Sequence, residues 1–207
     1  MLKTSRSRLL YLILALTCIA AMTFLGPQEK SLGANVRLVY LHGAWVLTAE
    51  VIFLASALAG AVALVTRREG LHAWSQALGW TGTLFWVTYL PLSMWAMQSN
   101  WNGLFLAEPR FRLALIFAVT AILLQGGLWL FDLPWLTSLA NILFIIVLRI
   151  AFSTTTYIMH PPPSPSFNSG NSFLIIYFLT LNLLTWVAAY LVTRLGLLHR
   201  PSKTFNA

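Results

Sequence analysis

LALIFAVTAILLQGGLWLF-DLP-WLTSLANILFIIVLRIAFSTT, residues 113–155, holds two apolar runs separated only by Asp132-Leu133-Pro134. Each run is close to the roughly 20 residues that cross about 30 Å of hydrocarbon at about 1.5 Å rise per residue. The break between them is too short for anything except a tight turn, and proline cannot continue the first helix. The pair therefore predicts an antiparallel helical hairpin in lipid.

Four further apolar runs lie outside it, at residues 9–26, 38–65, 77–98 and 173–195. With 58% hydrophobic and 9% charged residues, the 207-residue chain is too apolar to hide its surface in a soluble core. The expectation is an all-α polytopic membrane protein, six transmembrane helices forming one membrane-embedded domain over residues 1–207. The first run has small residues around Ala20 and Ala21, as a signal-peptide cleavage site does, and is read as a retained span. Between the fifth and sixth runs, Pro161, Pro162, Pro163 and Pro165 deny the connecting segment regular structure.

The formal charge is +8, from 13 Lys and Arg against 5 Asp and Glu. These cations sit in short clusters between runs, so they mark topology and not a nucleic-acid surface. Six spans put both termini on one side, with Lys3, Arg6, Arg8, Arg67, Arg68, Arg194, Arg200 and Lys203. The other side carries Lys30, Arg37, Arg110 and Arg112. The excess of positive charge assigns the first side to the cytoplasm and the chain to a cell inner membrane. Cys18 is the single cysteine, which excludes dithiol chemistry within the chain. No Walker-type phosphate loop, serine-histidine-acid set or HExxH string is present, and the chain is read as a non-enzyme.

Few groups are left to carry chemistry. His42, in VRLVYLHGAW, falls about one turn inside the second run and is either an interfacial histidine or a metal ligand. His160, in TTTYIMHPPPSP, stands just after the fifth run, so topology puts both histidines on the outer side. Two imidazoles on one side could grip one iron, as axial histidines grip haem, with Arg37, Arg110 and Arg112 as cations for its propionates. No CxxCH string exists, so such a haem b would be held non-covalently. Glu50 and Arg149 are intramembrane, about 18 Å and about 10 Å below the outer ends of their runs. Either they pair with each other, or Arg149 reaches a ligand carboxylate while Glu50 stays protonated or joins a proton path. His72 and His199 are expected to be interfacial or solvated and without chemistry.

The order of these parts resembles the haem-handling proteins of cytochrome c maturation, the CcmC and CcsA type, best over residues 37–160. RLVYLHGAW, with Arg37, Tyr40 and His42, is similar to that family's first-histidine motif. The family's outer loop reads approximately WGxxWxWDxRxT, and WNGLFLAEPRFR matches its spacing without a gap. Trp101 and Arg110 are retained, Phe105 replaces the second tryptophan and Glu108 the aspartate. Asn102, Ala107 and Arg112 replace the glycine, the third tryptophan and the final hydroxyl residue, and the tryptophan pair expected before the second histidine is absent. The resemblance implies a carrier that holds haem at the outer face between His42 and His160, with Trp101, Glu108, Arg110 and Arg37 around it. It also implies partners: membrane lipid, a haem chaperone that receives the haem, and the subunits of an ATP-binding cassette transporter. Three other readings remain: a transporter membrane subunit with Glu50 and Arg149 on its pathway, a haem-free scaffold, and a cytochrome b-like electron carrier.

Overall fold

The computed structural model describes residues 5–30, 32–156, 159, 167 and 169–198. The described residues are all-helical: α1 Ser5–Leu25, α2 Val36–Thr66, α3 Glu69–Trp101, α4 Pro109–Phe131, α5 Pro134–Thr154 and α6 Ser172–Leu198. Five of these, all but α3, are long and apolar enough to cross a membrane, as in a multi-pass membrane protein.

Two tight turns make the hairpins. Arg67 ends α2 in the left-handed region (φ 54°), its N–H bonded to the Ala63 carbonyl at 2.7 Å, and α3 starts two residues later. Asp132 ends α4 in the same way (φ 52°), with its N–H on the Leu128 carbonyl, and Pro134 opens α5 where the helix needs no N–H donor. The hairpin predicted at residues 113–155 is therefore present. We call this the turn end of the bundle, and the opposite end the loop end.

The α2/α3 hairpin is the centre. α2 packs on α1, α3, α5 and α6, and α3 on α2, α4, α5 and α6. The α1/α6 pair touches neither α4 nor α5, so the two outer pairs lie on opposite sides of α2/α3.

α3 differs in composition from the other five because its polar residues face protein. His72, Ser75, Gln76, Thr81, Thr83 and Ser93 are all buried. Asn141 of α5 donates to the Ser75 carbonyl and hydroxyl, each at 3.1 Å, and accepts from Gln125 of α4 at 2.8 Å. Ser56 of α2 donates to the same Ser75 carbonyl at 2.6 Å. One buried polar layer thus ties four helices together. Elsewhere Thr48 meets Thr185 at 2.7 Å, joining α2 to α6, and Thr193 donates to Thr81 at 2.9 Å, joining α6 to α3. Interhelical bonds of this kind contribute about 0.6 to 2 kcal/mol each in a bilayer.

These contacts also fix heights. His72 meets Ser138, Ser75 meets Asn141, and Trp86 packs on Phe152, so α5 runs in step with α3 and is flush with it at the turn end. The Thr193–Thr81 and Arg8–Arg194 bonds set α1/α6 higher: α6 stops about 10 Å short of the start of α3.

The polar layer needs close backbone approach. A Cβ at Gly79 would stand 2.9–3.0 Å from the amide groups of Asn141 and Gln125, whereas one at Gly126 would meet nothing within 4 Å. Gly79→Val is therefore expected to lower stability by about 1–3 kcal/mol through overpacking. Gly126→Ala is expected to leave it unchanged or slightly raised. Thermal unfolding of both variants in detergent checks the contrast.

Candidate functional site

At the loop end the two hairpins are unequal. Trp86 donates its indole N–H to the Ala114 carbonyl at 3.0 Å, five residues into α4, and α5 ends beside the same tryptophan. Hence α4 starts and α5 stops at about the height of Tyr89, while α3 continues to Trp101, about 18 Å further along. The segment 102–108 descends this step. It leaves α3 through Asn102 in the left-handed region (φ 56°) and re-enters helix at Pro109.

The descent brings chemistry together at the foot of the step. Glu108 is the N-cap of α4, its Oε2 accepting the Phe111 N–H at 2.6 Å, and only 3% of the residue is exposed. Its other oxygen, Oε1, is buried without a hydrogen-bond partner, as is Nε of Arg110. His42 packs against Tyr89 with ring centroids 5.6 Å apart. Tyr89 is within electrostatic reach of both Glu108 and Glu50, and Arg110 within reach of Glu50. Beneath lies an aromatic floor of Phe53, Trp86, Phe117, Phe144 and Phe152. Gly82 permits it, because Phe53 lies where a Cβ would be.

Two other expected site residues lie at the top. Trp101 meets Phe105 edge to face at 5.6 Å, so the retained tryptophan and its aromatic substitute share one patch. Arg37 donates Nε to the Gly26 carbonyl at 2.8 Å, just past the C-terminus of α1, where a cation is favoured. His160, the second expected iron ligand, lies outside the described residues, as do His199, Lys3, Arg200 and Lys203. Among the described residues no three of His, Cys, Asp and Glu converge as a metal-ion site.

Glu50 and Arg149 pair, Nη1 to Oε2 at 2.8 Å, bridging α2 and α5 about 7.5 Å below the top of α5. Their side chains are 23% and 58% exposed respectively, so the pair lies along a surface and not in the core.

Sequence reasoning missed Tyr89 and misjudged His72. Tyr89 sits in an aromatic-rich run where nothing singles it out; only the fold brings it within electrostatic reach of Glu50 and Glu108. His72, expected at an interface, is 5% exposed, with Nδ1 and the Ser138 hydroxyl 2.7 Å apart. The reason is that α3 begins at Glu69, well before the apolar run at residue 77, and carries His72 into the polar layer.

No family model matches the chain, and neither curated proteins nor solved structures give a match. The ion pair supplies its own test. Glu50→Leu, which strands Arg149, is expected to destabilise by about 2–3 kcal/mol, and Glu50→Leu with Arg149→Leu to recover most of that loss. Unfolding of both proteins and of Arg149→Leu alone in detergent decides: a double-variant loss equal to the sum of the two single losses would show that the two residues are not coupled.

Proposed function

We propose that this chain is a haem-handling integral membrane protein of cytochrome c-type biogenesis, in a cell inner membrane. It binds haem b non-covalently at the outer face between His42 and His160 and presents it to a haem chaperone, with ATP-binding cassette transporter subunits as further partners. The loop end is the outer face, both termini are cytoplasmic, and all six helices span. Burial of the polar residues of α3 supports its counting as a span, since what lipid would reject is turned inward. Arg6, Arg8, Arg67, Arg68 and Arg194 at the turn end, against Lys30, Arg37, Arg110 and Arg112 at the loop end, support the orientation.

The observation that carries the reading is the descent of residues 102–108. It sets Glu108 and Arg110 at the height of His42 and leaves Trp101 and Phe105 above them, so the stretch that resembles the family's outer loop and the first-histidine motif meet at one step. The described residues fit a haem in kind: His42 for iron, a buried Arg110 Nε without a partner for a propionate, and aromatic rings for the flat macrocycle. Bound there, haem would supply a redox-active iron. His42 and His160 would hold the iron, Arg110 would pair with a propionate, and Trp101 with Phe105 would help to exclude water.

The test is the absorption spectrum of the detergent-purified protein reconstituted with haem, with a pyridine haemochrome assay for stoichiometry. Wild type is expected to show a Soret band near one haem per chain, lost or shifted in both His42→Ala and His160→Ala and weakened in Arg110→Gln. Wild type that stays haem-free would overturn the reading in favour of a transporter subunit or a scaffold. Steady electron exchange between bound haem and quinol would favour the electron carrier.

A further inference from the structure

Arg37, expected beside a haem, faces another way in the fold. It precedes His42 by five residues, which puts it about 140° round α2 from that histidine. Its side of α2 is the one next to α1, since its Nε donates to the Gly26 carbonyl just past the end of α1. α1 and α3 both flank α2 here without packing on each other, and an apolar groove of about 340 Å³ lies between them, open to the side. Ile19 and Ala20 form its α1 wall, Leu41 and Trp45 its floor, and Pro91 and Leu92 its α3 wall. The polar groups at its edge are already satisfied: Trp45 donates its indole N–H to the Thr88 hydroxyl at 2.9 Å, and Thr88 donates to the Leu84 carbonyl at 2.7 Å.

The groove has a mouth as well as walls. Arg37 is one turn above Leu41 and about 12 Å above the Trp45–Thr88 bond. Trp95 of α3 reaches about 10 Å above the same bond, on the face that carries Pro91 and Leu92, and is more than half exposed. A cation and an amphipathic ring thus stand level with each other, with hydrocarbon surface beneath, as at the boundary between headgroups and acyl chains. Arg37 spends one of its five N–H donors on Gly26 and forms no ion pair among the described residues. The rest of its guanidinium fork matches the oxygens of a phosphate. The volume limits what hangs below. A cavity of about 150 Å³ holds one benzene ring, so the groove takes about a dozen chain carbons, most of one acyl chain.

We propose that the α1/α3 groove binds a phospholipid from the leaflet at the loop end, its phosphate on Arg37 and one acyl chain along Leu41, Trp45 and Pro91. The second chain stays in the bilayer. Ala20 and Pro91 are short side chains, which keeps the groove open, and the bound lipid fills the space between α1 and α3. The site lies on another side of α2 from the step that holds His42, and its occupancy does not depend on haem.

The test is native mass spectrometry of the full-length protein, delipidated in detergent and titrated with palmitoyl-oleoyl phosphatidylglycerol or with the diacylglycerol of the same chains. Wild type is expected to retain one phospholipid and to bind it at least about tenfold more tightly than the diacylglycerol. Arg37→Gln is expected to abolish that preference while leaving diacylglycerol binding as in wild type, which shows that the groove is still folded. Arg37→Lys is expected to keep most of the preference. Ala20→Trp, on the exposed wall, is expected to weaken both lipids about tenfold by filling the groove. Equal binding of the two lipids to wild type would overturn the proposal, as would an unchanged preference in Arg37→Gln. Undiminished phospholipid binding by Ala20→Trp would overturn it as well, by placing the lipid elsewhere on the bundle.

Discussion

A polar side chain surrounded by hydrocarbon has to find its partner inside the protein, and α3 carries more such side chains than any other helix here. That requirement places α3 against α2, α4, α5 and α6 together. The Ser56–Ser75–Asn141–Gln125 layer is where it is met most densely. Because those bonds join particular residues and not merely faces, they set the register of the helices as well as their neighbours. The flush turn end, the uneven loop end and the site at the foot of the step all follow from that register.

The site itself is a product of unequal lengths. Had α4 begun level with the end of α3, Glu108 and Arg110 would stand near Trp101 and far from His42. Instead, α4 and α5 are close to the minimum that crosses hydrocarbon, while α2 and α3 exceed it by about three turns. The connecting segment crosses that difference through bends at residues 102–103 and a turn closed by the Glu108 N–H on the Phe105 carbonyl at 3.0 Å, and the Glu108 carboxylate, accepting from the Phe111 N–H, holds its lower end.

Much of this was legible in the chain. The Asp132-Leu133-Pro134 break located the α4/α5 hairpin, and the apolar runs located all six helices, with the start of α3 the one large boundary error. What the sequence left open was which residues meet across helices. Glu50 and Arg149 could be seen as intramembrane charges, but a helix that is apolar around most of its circumference gives no face from which to decide their pairing. Asn141 and Gln125 were solitary amides within apolar runs, a signal of interhelical bonding that was available and unused. Tyr89 offered no such signal. The height of α4 relative to α3 was not legible either, since loop length limits that offset without fixing it.

The displacement of α1/α6 along the central hairpin has a consequence for how the molecule stands in its membrane. The two outer pairs flank α2/α3 on opposite sides, about 18 Å apart for two helix–helix spacings, and are offset by about 10 Å along its length. A flat bilayer cannot centre both pairs while the hairpin stands upright. The two pairs come nearer to one level when the hairpin leans, as transmembrane helices commonly do. α2, the longest of the five helices apolar enough to cross a membrane, then crosses obliquely, which absorbs its excess length, and the loop end of the bundle meets the water as a slope instead of a ledge.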